Sequence, residues 1–227
     1  MTTAMRPLAF IAAMAVVLAG DIALAQTPNA PVSAAANTTP AVPEQADESA
    51  WSLSALAYTY FLPDSHFVQP TVRADRGWLH LETRYNYEAR DTASAWLGYN
   101  FSVGTTVVWE LTPMLGGVFG DTTGIAPGFE GSLSWRKLEL YGESEYVVDT
   151  GNRADSFFYN WSELTLAPVN WFRFGVAVQR TRVYQSDRDI QRGVMAGFSS
   201  RHVTLTAYVF NPDEDKPRFV LAVELLF

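Results

Sequence analysis

The chain has 227 residues, a formal net charge of -8 and no cysteine. Disulfides and thiolate metal sites are therefore excluded, and an acidic chain with no basic stripe does not suit a nucleic-acid partner. Only Lys137 and Lys216 are lysines, and after residue 50 no run reaches the ~18 consecutive apolar residues of a transmembrane helix. If this chain crosses a membrane, it does so with strands.

The first 25 residues have the layout of a secretory signal. Arg6 supplies a positive charge, residues 7–20 are almost wholly apolar, and Ala23-Leu24-Ala25 offers small residues to a signal peptidase. Residues 26–50 are rich in Ala, Pro, Thr and Asn, without periodicity or large apolar anchors, and read as a disordered periplasmic tether. Residues 51–227 form one unit.

From Trp51 onward the pattern has period 2, broken at intervals by turn residues. Strands are expected over about 51–61 and 66–74, separated by Leu62-Pro63-Asp64-Ser65. A third, over 77–88, sets Leu79, Leu81, Thr83, Tyr85 and Tyr87 against Trp78, His80, Glu82, Arg84 and Asn86. A fourth, over 92–102, turns Ala95, Leu97, Tyr99 and Phe101 one way and Ser94, Trp96 and Gly98 the other. The fifth, over 105–119, contains Pro113, which cannot donate a ladder hydrogen bond and predicts a bulge or local irregularity. Strands over 125–135 and 138–148 follow, then the polar connection 149–155. The strand over 156–166 is ambiguous, because Phe157, Tyr159 and Trp161 share a parity with Glu163. Strands over 170–183, 188–199 and 202–210 lead to the closing strand from Arg218. The total is about twelve, an even number, so both ends lie on one side. Closure is the weak point, because Ser52-Leu53-Ser54-Ala55-Leu56-Ala57 alternates poorly.

The closing strand carries Phe219, Leu221, Val223, Leu225 and Phe227 on one face, with Arg218 and Glu224 on the other. An apolar alternating strand stopping on an aromatic resembles the closing strand of bacterial outer-membrane β-barrels. Aromatic residues near strand ends (Trp78, Tyr85, Tyr87, Tyr99, Phe101, Trp109, Trp135, Tyr146, Trp171, Phe172, Tyr184) fit the girdles of that class. The resemblance covers 51–227 and is porin-like at the level of the superfamily. It implies an all-β transmembrane antiparallel up-and-down barrel in the outer membrane, in contact with lipid and lipopolysaccharide. It also implies delivery by the barrel-assembly machinery through the C-terminal strand, and no cofactor. A soluble sandwich or lipocalin-like barrel is the competing architecture, since alternation alone does not say which face is inside.

With the polar parity inside, Glu110, Glu130, Glu143 and Glu163 fall on four successive strands, flanked by Glu139 and Glu145. Arg73, His80, Glu82, Arg84, Arg218 and Glu224 lie away from this wall, and Arg173 borders it. Two readings stay open. One is an acid-lined channel for small hydrophilic solutes; the other is a salt-bridge-filled structural barrel without transport. A lipid hydrolase is the third class, and its only prompt is His66 beside Ser65. Arg180, Arg182 and Arg192 cluster near the outer ends of two strands and are candidate contacts for lipopolysaccharide phosphates. Intact-mass spectrometry of the exported protein is expected to find Gln26 at its N-terminus; retention of residues 1–25 would remove the signal-peptide assignment.

Overall fold

The computed structural model describes residues 50–62, 65–183 and 189–227, with the side chains of 181–183 and 189 excepted. The signal peptide, nearly all of the tether, Pro63-Asp64, Tyr184, the 185–188 loop and the Arg182 side chain lie outside the described residues.

The strands are β1 (Ser52–Leu62), β2 (Ser65–Arg76), β3 (Leu79–Tyr85), β4 (Thr92–Tyr99), β5 (Phe101–Val103), β6 (Val107–Gly120) and β7 (Gly124–Trp135). They continue with β8 (Leu138–Asp149), β9 (Phe157–Val169), β10 (Phe172–Val183), β11 (Asp189–Ser200), β12 (Val203–Phe210) and β13 (Arg218–Leu226). A 3-10 turn, Arg153–Asp155, precedes β9. Each strand pairs antiparallel with its sequence neighbours, apart from the joint at β4 and β5. Those two both pair with β6, so they are one stave interrupted at Asn100, and the sheet has twelve staves.

Closure runs from Ser54 opposite Leu226 to Phe61 opposite Phe219. The poor alternation of β1 does not prevent pairing, because its inward parity carries Leu56, Tyr58 and Tyr60 as well as Ser54. The other parity of the sheet is apolar and faces outward: Leu97, Leu115, Phe119, Ile125, Val176, Val194 and Phe219 are all exposed. Hydrocarbon is the medium that suits such a surface, and a closed ladder leaves no backbone edge in it.

The expected bulge at Pro113 is absent. Pro113 sits in an unbroken register opposite Phe129. Its missing N–H is felt on the other side, where the ladder lapses at Asn100 between the pairs Gly98–Met114 and Phe101–Leu111. The register shift lies instead between Phe172 and Phe174, against β9.

One girdle assignment changes, and one girdle residue changes face. Tyr87 belongs to the β3–β4 connection and turns over the barrel interior, edge-on to Tyr159 at 5.5 Å. Trp78 sits in the turn after β2, where Gly77 takes φ 54°, and stacks outward on Tyr99 at 5.3 Å. With Phe101, Trp109, Trp135 and Trp171, all exposed, it belongs to an aromatic ring around the end of the barrel that holds Ser52 and Leu226.

The core is the barrel interior. Trp96 lies against Gly116, its cross-strand partner; a Cβ there would meet the indole at 2.5 Å. On the outer wall, a Cβ on Gly142 would find nothing closer than 3.7 Å. Gly116→Ala is therefore expected to destabilise the folded barrel by ~1–3 kcal/mol. Gly142→Ala should leave stability within about 0.5 kcal/mol of wild type. Urea unfolding in lipid vesicles, followed by tryptophan fluorescence, compares the two; equal effects would contradict this packing.

Candidate functional site: the barrel interior

Alternation places Arg73 on β2 and His80, Glu82 and Arg84 on β3 inside the barrel, facing Glu130 on β7 and Glu145 on β8. The two walls meet. Arg73 Nη2 donates to Glu130 Oε1 at 2.7 Å, and Arg84 Nη1 donates to Glu145 Oε2 at 2.9 Å. Arg84 Nη2 also lies 3.4 Å from Glu130 Oε1. Glu82 accepts from the Nε of both arginines and thereby ties the two guanidinium groups together. His80 Nδ1 is 2.8 Å from Asp75 Oδ1, which also accepts from Asn100 Nδ2 at 2.7 Å. Buried charges need partners on this scale, because an unpaired one in low dielectric costs several kcal/mol.

Aromatic side chains close the half of the interior farther from Ser52 and Leu226. Arg84 lies over the rings of Tyr87 at 4.4 Å and Trp96 at 4.6 Å. Trp161 packs edge-on against Tyr208 at 5.3 Å and Phe210 at 5.4 Å, and Tyr60 stacks on Phe67 at 4.7 Å. Trp96, Trp161, Tyr208 and Phe210 are each 3% exposed or less. The void bounded by Arg84, Trp96, Met114, Glu145 and Tyr159 has no room for a water molecule.

The other half of the interior contains a chamber of ≈ 90 Å³. Glu110, Glu130, Glu139, Glu163 and Glu224 line it, against Arg73 and Arg173, with Tyr58, Tyr141 and Tyr208 around them. Glu163 Oε1 accepts from Trp161 Nε1 at 2.8 Å and Tyr208 O–H at 2.7 Å, so it joins the chamber to the aromatic layer. Ser132 donates to Glu110 at 3.0 Å, and Arg173 Nη2 donates to Thr206 Oγ1 at 3.2 Å. Beyond the strands, burial pushes the Glu88 carboxyl above its usual range in the β3–β4 connection, although Arg84 opposes the shift and Ser94 donates to Glu88 at 2.5 Å.

Of the residues singled out from the sequence, Glu82, Arg84, Glu130 and Glu145 come together in one cluster. Glu143 is buried beside it, where Tyr141 O–H donates to Oε2 at 3.1 Å. Glu110, Glu163, Arg173 and Glu224 border the chamber. Arg218 is at the far end of the barrel, opposite Phe210. Arg180 and Arg192 face outward, and Arg182 is on the same parity of β10. Ser65 and His66 are consecutive in a strand and so point to opposite faces; Ser65 Oγ accepts from Arg90 at 2.9 Å, and His66 packs on Phe61 at 5.7 Å. The aromatic filling was missed. Its signal was in the polar parities themselves: Tyr208 and Phe210 continue Thr204 and Thr206, and Tyr58 and Tyr60 continue Ser52 and Ser54.

A closed antiparallel barrel with an apolar outer wall, an aromatic ring and a charged interior is the fold of porin-like outer-membrane β-barrels. Among solved structures, the chain is similar to KdgM porin, with a TM-score of 0.57 at 11% identity over 77% of this chain and 99% of that one. It is likewise similar to KdgM porin in complex with disordered oligogalacturonate, with a TM-score of 0.56 at 11% identity over 78% and 99%. No protein-family model and no curated protein matches the sequence.

Removing Arg84 strands Glu145 in the interior and leaves Glu82 with Arg73 alone. Arg84→Met is expected to cost ~3–5 kcal/mol of stability, the range for breaking one side of a buried ion pair. The same unfolding assay should show Glu82→Gln to be destabilised as well, since one arginine loses its acceptor and both lose the shared negative charge; wild-type stability in both variants would contradict a buried, mutually dependent cluster.

Proposed function

We propose that the protein is an outer-membrane barrel of porin-like build, with the ends of β1 and β13 that carry Ser52 and Leu226 facing the periplasm. It provides a narrow acid-lined passage for water and small hydrophilic solutes, cations above anions. The conformation described here is the shut form, held by the arginine–carboxylate cluster and the aromatic layer. The observation that carries this reading is the chamber, where five carboxylates border a space of ≈ 90 Å³ against two arginines. An excess of one charge in a low-dielectric wall raises the local concentration of counter-ions. Oligogalacturonate, present in one of the KdgM structures, is a polyanion. The carboxylates of this chamber repel such a solute, so the solute class is argued from this chain's own charges.

A filled structural barrel is the second reading, and the aromatic layer favours it, because side chains alone close a barrel this narrow. Planar-bilayer recording separates the two. The passage predicts small, cation-selective steps for the wild type, larger steps for Tyr60→Ala with Trp161→Ala, and reduced cation selectivity for Glu110→Gln with Glu224→Gln. A well-folded wild type that carries no current at any voltage would exclude the passage and leave the structural barrel.

A further inference from the structure

The outward face of β8 to β11 changes character toward the end remote from Ser52. Below, it is hydrocarbon-like, with Leu140, Leu164, Val176 and Val194 in succession across the four strands. Nearer that end it becomes polar and then cationic. Asn160 on β9 donates through Nδ2 to Ser144 Oγ on β8 at 2.8 Å, and its backbone pairs with Arg180 on β10. Arg180 holds its guanidinium over the ring of Phe158, 5.8 Å from the centroid. Arg192 on β11 is opposite Val178, two residues from Arg180 on the same face. Diagonal neighbours of this kind stand ~7–8 Å apart at the backbone, so two long guanidinium side chains reach a common ligand.

Arg192 is held in place by its own backbone. Its N–H donates to Asn211 Oδ1 at 3.0 Å, and its carbonyl accepts from Asn211 N–H at 2.7 Å. Among the described residues, neither Arg180 nor Arg192 has a salt bridge, and no carboxylate shares this outward face of β8–β11. In a chain of net charge -8, an outward arginine pair just above a hydrocarbon wall is a local reversal of sign.

We propose that Arg180 and Arg192 form a phosphate-binding surface for a phosphorylated glycolipid of the outer leaflet, its acyl chains lying along Val176, Val178 and Val194. This rests on the membrane orientation given above and adds a lipid partner to it. Guanidinium groups hold phosphate through paired N–H donors, and the aliphatic wall below supplies the apolar half of an amphiphile's contact.

Native mass spectrometry of the detergent-solubilised full chain tests this with diphosphorylated lipid A, its dephosphorylated form and inorganic phosphate. The expected result is retention of lipid A alone. Arg180→Gln with Arg192→Gln should weaken that retention ~10-fold or more, as two charge-assisted contacts imply. Arg136→Gln with Arg201→Gln, at the opposite end of the barrel, should leave it unchanged, and Arg180→Lys with Arg192→Lys should restore part of it. Equal retention by wild type and the Gln pair overturns the proposal, as does equal binding of the dephosphorylated lipid. Equal displacement by inorganic phosphate would assign the surface to a soluble anion instead. Currents recorded from the same preparation keep the two proposals apart: lipid retention without conduction excludes the passage and leaves this surface standing.

Discussion

Every backbone N–H and C=O inside hydrocarbon has to find a partner within the protein, and this requirement governs the rest of the molecule. It explains why β1 must meet β13, although β1 alternates poorly and the strands lie at opposite ends of the chain. It also explains the tolerance at Asn100. The ladder to β6 lapses near the proline, but the stave stays held on its other edge, where Asn100 N–H donates to Trp78 O at 2.7 Å, and by the Asn100 side chain, which turns inward and bonds Asp75 and Thr112.

The interior follows a second constraint. Twelve staves enclose more space than backbone alone can fill, so side chains decide whether water enters. Here the work is divided along the barrel axis. Where carboxylates border the lumen without rings to fill it, a chamber remains; where aromatic rings surround Arg84 and its carboxylate partners, the packing is dry. Glu163 and Tyr208 mark the boundary, since each belongs to both environments. The cluster and the aromatic layer depend on one another: Arg84 is neutralised by Glu82 and Glu145 on its sides and covered by Tyr87 and Trp96 above and below.

Much of the fold was legible because lipid is an undiscriminating solvent. It asks for an apolar residue at every second position, and Leu79 to Tyr85 or Phe219 to Leu225 display that demand without reference to any neighbour. The number of staves and the turns followed from the same pattern. The interior was less legible because it accepts Glu, Arg, Trp, Tyr, Val and Gly alike. Parity placed Glu82 and Arg84 inside, but it carries no information about what stands across the lumen. That Arg84 reaches Glu145, 61 positions away, depends on barrel diameter and strand stagger, neither of which is local. The aromatic filling was hidden for a related reason: Trp161 on an inward parity looks like a girdle residue until its depth along the strand is known. Tyr87 failed the same way, since one connection residue can turn its ring to either medium.

The tie between Glu82 and the two arginines has a mechanical side. Through Arg73–Glu130 and Arg84–Glu145 it links β2 and β3 to β7 and β8, four staves further round the wall. An empty cylinder of this size yields to lateral pressure by becoming oval, because hydrogen-bonded staves bend readily about their long axes. A charged strut across part of the lumen resists that deformation and does so best in a dry interior, where the field between its ends is least screened. The cross-section is therefore set from within, and changes in bilayer tension act on a braced tube rather than a compliant one.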